Sequence, residues 1–130
     1  MSERIPTVRI IVAGSRDFDD YGLMSRKLAG AARLESVEIV SGGARGADAL
    51  GERFARENGI PVKRFEADWG RFGKAAGPIR NSQMAEYAAE AERGYLVAFP
   101  MGRSPGTRDM IRKAKEKGLT AYVVETVPNG

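Results

Sequence analysis

Three times in 130 residues an apolar stretch runs into a glycine-bearing loop and then into a segment with helical spacing. The loops are Gly14-Ser15-Arg16, Ser41-Gly42-Gly43-Ala44-Arg45-Gly46-Ala47-Asp48 and Pro100-Met101-Gly102-Arg103-Ser104-Pro105-Gly106-Thr107. A strand followed each time by a helix returns parallel to its predecessor, so the repeat confines the chain to one parallel sheet with helices on both faces. It also bears on chemistry. Small residues at a strand-to-helix turn let backbone N–H groups approach a ligand, and the helix start behind them favours negative charge.

Periodicity supplies the remaining elements. Residues 8–13 are rich in β-branched side chains and read as a strand buried on both faces. With Asp19 or Asp20 as N-cap, Leu23, Met24, Leu28 and Ala31 recur at helical spacing. Residues 37–40 and 61–65 are the second and third strands, separated by a helix marked by Ala47, Leu50 and Phe54 and closed by Asn58-Gly59. Residues 68–78 carry Trp69 and three glycines without a clear period, which predicts a long functional or capping loop. Pro78 then suits the first turn of a helix with Met84, Tyr87, Ala88 and Ala91 facing inward and Gly94 ending it. Residues 95–99 are the fourth strand. Thr107 is the expected cap of the next helix, Met110, Ile111 and Ala114 face inward, Gly118 stops it, and residues 120–124 are the fifth strand. Residues 1–6 and 128–130 are expected to fray.

The expected fold is therefore a single α/β domain over 1–130, with its core at about 7–125, built as a three-layer α/β/α sandwich on a five-stranded parallel sheet of order 3-2-1-4-5. In that order the winding direction reverses between strands one and four, and ligands bind in the crevice beyond the carboxyl ends there. The three glycine loops follow the strands that flank this crevice.

Composition narrows the chemistry. Hydrophobic content of 42% and charge of 29% are those of a globular protein. No apolar run reaches membrane-spanning length and no basic-then-apolar leader follows Met1, so a cytoplasmic protein without membrane partners is expected. Cysteine and histidine are both absent, which excludes disulfides, thiolate nucleophiles, imidazole bases and the common zinc sites; no metal is expected. The net charge of +4 invites a nucleic-acid reading, but Arg112, Lys113, Lys115 and Lys117 fall in the second half of a helix, where cations complement the dipole and solvate the outer face. Arg16, Arg45, Arg80, Arg103 and Arg108 lie instead in or beside glycine loops and helix starts, as candidates for holding an anion.

In the second loop, Ser41-Gly42-Gly43 relieves the steric limits on the turn, and the amides from Gly43 to Ala47 are a candidate anion nest. That loop ends in Gly46-Ala47-Asp48 where a P-loop would carry Gly-Lys-Ser/Thr, and Gly14 is not followed by the Gly-x-Gly-x-x-Gly spacing of dinucleotide folds. Triphosphate hydrolysis and hydride transfer both lose ground. Arg80 in the third crossover helix can grip a phosphate in bidentate fashion, and Asn81 offers donor and acceptor. Asp48 and Asp109 each lie near a helix start, so each either complements the dipole or serves ribose binding or acid–base work. Trp69, Phe72, Phe18 and Tyr21 are candidates for stacking a base or for covering core edges.

With those residues in place, the chain resembles the SLOG superfamily of Rossmann-like proteins, and within it the YspA or cpYpsA-related group. The resemblance rests on Gly14-Ser15-Arg16-Asp17-Phe18, Val40-Ser41-Gly42-Gly43-Ala44-Arg45-Gly46-Ala47-Asp48, Asp68-Trp69, Ala76-Gly77-Pro78-Ile79-Arg80-Asn81, Met84-Ala85, and Ala98-Phe99-Pro100 through Gly106-Thr107. The superfamily includes nucleotide-ligand sensors, the DNA-processing protein DprA and the LOG phosphoribohydrolases. The resemblance implies a site for nucleotides or their derivatives on a Rossmann-like sheet. It does not imply one reaction, because the third loop is two residues longer than the LOG motif Pro-Gly-Gly-x-Gly-Thr and Met110 holds the position of the LOG catalytic glutamate. Asp109 stands one position away and points about a third of a helical turn aside.

Three functions follow as expectations. The first is a domain that senses or sequesters a nucleotide-derived ligand such as ADP-ribose, NAD or a cyclic nucleotide, with no further cofactor. The second is an N-glycosidic hydrolase of nucleoside monophosphates, with Arg80 or Arg108 on the phosphate and Asp48 or Asp109 aiding cleavage. The third is single-stranded nucleic-acid binding, which the placement of the charge makes the least expected. Homodimerisation is expected by analogy with related folds.

Overall fold

The computed structural model describes residues 5–127. Strands β1 (Val8–Gly14), β2 (Val37–Ser41), β3 (Val62–Arg64), β4 (Arg93–Phe99) and β5 (Thr120–Val123) form one parallel sheet in the order β3-β2-β1-β4-β5. Helices α1 (Tyr21–Leu28), α2 (Ala47–Glu57), α3 (Trp69–Phe72), α4 (Ala76–Ala89) and α5 (Pro105–Glu116) connect them. The central pair β1 and β4 runs in register from Val8 opposite Arg93 to Gly14 opposite Phe99. Among the described residues no helix is long and apolar enough to cross a membrane.

Alternation along β1 divides the core in two. Ile10 and Val12 pack with Met24, Leu28, Phe54 and Phe99 on the side of α1 and α2, while Ile11 and Ala13 pack with Met84, Leu96 and Met110 on the side of α4 and α5. A strand buried on both faces is what a β-branched run supplies. Arg9 is the exception within that run, buried at 5% exposure. Its guanidinium lies 3.5 Å from the Tyr87 ring centroid and donates to Glu38, Glu90 and the Tyr87 carbonyl, so the charge is fully partnered.

Several boundaries differ from the sequence expectation for local reasons. Residues 69–78 are helical: Asp68 Oδ1 accepts from the Arg71 amide at 3.1 Å to cap α3, a 3-10 turn follows at Gly73–Ala75, and α4 begins at Ala76. Pro78 sits in the first turn of α4, where its missing N–H has no intrahelical partner to lose. Ser104 rather than Thr107 precedes α5, because Pro105 takes the first helical position. Gly94 does not end α4; it lies in β4, where a Cβ would press on Leu119 and on the Ala88 carbonyl 2.8 Å away. Asp20 caps α1 through the Leu23 amide, and Gly118 closes α5 at φ 80°. The expected fraying of residues 1–4 and 128–130 lies outside the described residues.

Candidate functional site

A cleft of about 630 Å³ opens at the carboxyl ends of β1 and β4, where the winding of the sheet reverses. Gly14, Ser15 and Arg16 form one wall; Ala44 and Asp48 another; Gly77, Pro78, Arg80 and Asn81 from the start of α4 a third; Ser104 to Thr107 at the start of α5 a fourth. Met84 and Met110 also line it, and Trp69, half exposed, stands at its mouth. A second hollow beyond Gly42, Gly43 and Arg45 shares Arg16, Ala44, Trp69 and Arg80 with the first.

Three helix starts meet here, and they are not equivalent. At α2, which like the other two starts lacks a side-chain cap, three of the five amides of the anticipated nest are already taken by the protein. The Ala44 amide donates to Asp48 Oδ2 at 3.2 Å, the Gly43 amide to Ser41 Oγ at 3.1 Å, and the Ala47 amide to the Ser15 carbonyl at 3.1 Å. Ser41 is fully buried and gives its own proton to Glu52 at 2.6 Å, so it ties the loop down and does not face the cleft. Gly46 is a packing glycine: at φ 79° a Cβ would strike the backbone of Ser15 and Arg16. Gly14 is similar, since a Cβ there would lie 2.5 Å from the Phe99 carbonyl and 2.8 Å from Ala47 Cβ.

The starts of α4 and α5 carry no side-chain cap. Pro105 has no N–H, and the Arg108 amide is the first to reach back, to the Ser104 carbonyl at 3.0 Å. The amides of Gly106 and Thr107 are therefore the orphan donors of α5, and both residues line the cleft. The Thr107 hydroxyl accepts from Ser104 Oγ at 2.9 Å.

Arg80 spans the two sides. Its Nη1 donates to the Gly42 carbonyl at 2.7 Å and its Nε to Asn81 Oδ1 at 3.2 Å. Burial pushes its pKa down, opposed by the nearby Asp48 carboxylate, and an arginine stays charged throughout. Gly42 has no side chain because a Cβ would fall 2.6 Å from Arg80 Nη1 and 2.8 Å from Asp48 Oδ2. Asp48 is 6% exposed, and burial pushes its carboxyl up to about 6 against the Ala44 hydrogen bond and the Arg80 charge. Asp109 behaves oppositely. Burial raises its pKa, but hydrogen bonds from Asn81 at 3.0 Å, Lys113 at 3.1 Å and Arg112 at 2.7 Å hold it below the usual range. Asn81 also donates to the Gly106 carbonyl at 3.2 Å, so it braces α5 against α4.

The other arginines divide. Arg16 lines both hollows and makes no ion pair or side-chain hydrogen bond among the described residues. Arg45 is exposed and 3.8 Å from Asp17, in the second hollow only. Arg108 is committed to Glu125 and to the Gly102 carbonyl, and Arg103 is exposed outside both hollows. Pro100 and Gly102 also lie outside, their carbonyls accepting from Thr126 and Arg108. Sequence reasoning read Met84 and Met110 purely as core; nothing in a helical period tells the end of an apolar stripe from the floor of a cleft. Among the described residues no acidic cluster able to hold a metal ion comes together.

The comparisons with known proteins meet this geometry. The profile of the YspA, cpYpsA-related SLOG family matches residues 8–72, which carry the first two loops and Trp69. The gene 61 protein of Mycobacterium phage D29 is 36% identical over 118 residues, covering 85% of this chain and 91% of that protein. The chain belongs to the YspA, cpYpsA-related SLOG family. The solved DNA processing protein A (DprA) of Streptococcus pneumoniae shares the fold at a TM-score of 0.68 and 19% identity over 95% of this chain. The chain spans 50% of that protein's length. The SLOG match and the DprA likeness agree on a Rossmann-like sheet, and the cleft lies at its switch point.

Proposed function

We propose that this SLOG domain binds a nucleotide-derived anionic ligand in the cleft, as a sensor or sequestering protein. The observation that carries the reading is the uncapped start of α5 facing Arg16 and Arg80 across a 630 Å³ hollow. Amides at a helix start and guanidinium groups are the donors that phosphate selects. The volume suits a nucleotide-sized guest, and Trp69 at the mouth offers a face for a base. Titration calorimetry with AMP, NAD, ADP-ribose and cyclic mononucleotides is expected to show saturable binding. Arg16→Ala is expected to lower that affinity at least tenfold with an unchanged melting temperature, since Arg16 makes no ion pair or side-chain hydrogen bond among the described residues. If no ligand of this set binds, or if Arg16→Ala binds equally well, the reading fails.

Asp48 favours a second reading, N-glycosidic hydrolysis of a nucleoside monophosphate. A carboxyl raised to about 6 in a cleft wall is suited to exchanging a proton near neutrality, whereas the ion-paired Asp109 is not. Incubation with nucleoside monophosphates and chromatography for free base tests it: release abolished by Asp48→Asn and retained by Asp109→Asn is expected, and absence of free base removes it. Retention of oligonucleotides on filters at low salt, lost steeply as salt rises, would instead point to nucleic acid.

A further inference from the structure

A mononucleotide in the cleft leaves the second hollow unused. That hollow measures about 510 Å³ against about 630 Å³ for the cleft, and the two share Arg16, Ala44, Trp69 and Arg80, so they are two chambers of one space. A small-molecule guest of nucleotide size needs one such volume. The second chamber has walls of its own, from Gly42, Gly43 and Arg45 after β2 and from Glu66 and Ala67 after β3.

Its donors are those an anion selects. Arg16, Arg45 and Arg80 stand on its lining against one carboxylate, Glu66, which pairs with Arg64 at 3.3 Å. Among the described residues Arg16 makes no ion pair or side-chain hydrogen bond, Arg45 makes only its 3.8 Å contact with Asp17, and Arg80 keeps Nη2 unbonded while Nη1 and Nε hold Gly42 and Asn81. Trp69 lines both chambers, and a Cβ on Gly77 would lie 3.3 Å from its ring, so the glycine lets the indole rest against α4. The other large groove, of about 620 Å³ between α1 and the bare half of the sheet where β4 and β5 carry no helix, is lined mostly by apolar side chains and lacks this donor set.

The sheet sets the spacing of the two anchoring points. The α5 start follows β4 and the Arg45 loop follows β2, and these strands flank β1, which puts the points about 10 Å apart across the sheet. The adjoining phosphates of a pyrophosphate are too close together to reach both. Phosphoryl groups with a nucleoside between them span the gap.

We propose that the two chambers together take a dinucleotide whose phosphoryl groups are spaced by a nucleoside, as in a phosphodiester link, with the terminal phosphate at the α5 start and the linking phosphate on Arg16 and Arg45. This rests on the nucleotide reading above and adds a second subsite to it. Arg80 and Trp69, common to both chambers, hold the guest at its middle.

Titration calorimetry of the full chain with AMP, NAD and the phosphodiester-linked diadenylate pApA tests the proposal. The diadenylate is expected to bind at least tenfold more tightly than AMP, and NAD, whose phosphates adjoin, within about threefold of AMP. Arg45→Ala is expected to remove the advantage of pApA and to leave the AMP affinity unchanged, which also shows that the variant is folded. NAD binding as tightly as pApA, an advantage that survives Arg45→Ala, or an affinity that keeps rising from pApA to a hexanucleotide overturns the dinucleotide. AMP binding that still depends on Arg16 would then leave the single-chamber reading standing, and loss of both would remove the two together.

Discussion

Asp48 is the residue on which local physics and function meet most closely. Its carboxylate takes the Ala44 amide beside Arg80, and that compensation leaves a net burial cost that pushes its pKa up to about 6 from an ordinary 3.8. A folded-state value above the unfolded one means that the folded chain holds an extra proton between pH 4 and 6. Stability from this group is therefore greatest below pH 4, declines as pH rises to 6, and carries the whole cost above that. Asp48→Asn keeps an oxygen for the Ala44 amide and removes the charge. It is expected to raise stability at pH 7 on the order of 2 kcal/mol and to flatten the slope between pH 4 and 6; urea unfolding at both pH values measures it, and an unchanged slope would refute the assignment. Nothing in the sequence separates Asp48 from Asp109, since both sit just inside a helix. Their difference lies in neighbours distant in sequence: Ala44 and Arg80 for one, Asn81, Arg112 and Lys113 for the other.

At the scale of elements, the glycine loops serve each other as much as any ligand. Gly46 at φ 79° lets the second loop lie on the backbone of Ser15 and Arg16, and Ser41 pins the same loop to Glu52, which is in turn held by Arg64. Gly46→Ala meets both an unfavourable backbone region and a backbone neighbour, with an expected loss of about 2 kcal/mol or more. Ser41→Ala leaves the Gly43 amide unpartnered, with an expected loss of about 1–2 kcal/mol. Thermal melts of the two variants check both values. The loops were legible in the sequence as glycine turns between strand and helix. Which of their amides remain free was not, because side chains such as Asp48 and Ser41 compete for the same donors a phosphate would use.

For the whole molecule, the sheet is the frame that carries one loop to another. Phe99, fully buried at the end of β4, packs on Phe18 with ring centroids 4.7 Å apart, and its carbonyl accepts the Ser15 amide at 3.0 Å. Phe99→Ala is expected to cost about 3–5 kcal/mol, lowering the melting temperature by roughly 10 °C or more for a domain of this size. Ligand affinity is expected to fall with it, because the Gly14–Arg16 wall and the loop that leads from Phe99 to the fourth wall lose their common support.

The strand order, the layer arrangement and the position of the cleft were decided by patterning alone: apolar runs, helical spacing and glycine turns are local signals, and the topology they permit is narrow. The helical turns within residues 69–78, the buried Arg9, the partly occupied nest at α2 beside the open start of α5, and the bare half of the sheet were decided only in three dimensions. Arg9 and the bare half of the sheet depend on contacts between residues far apart in the chain, while the turns at 69–78 and the α2 loop depend on short-range competition for backbone donors; in neither case does periodicity set the outcome.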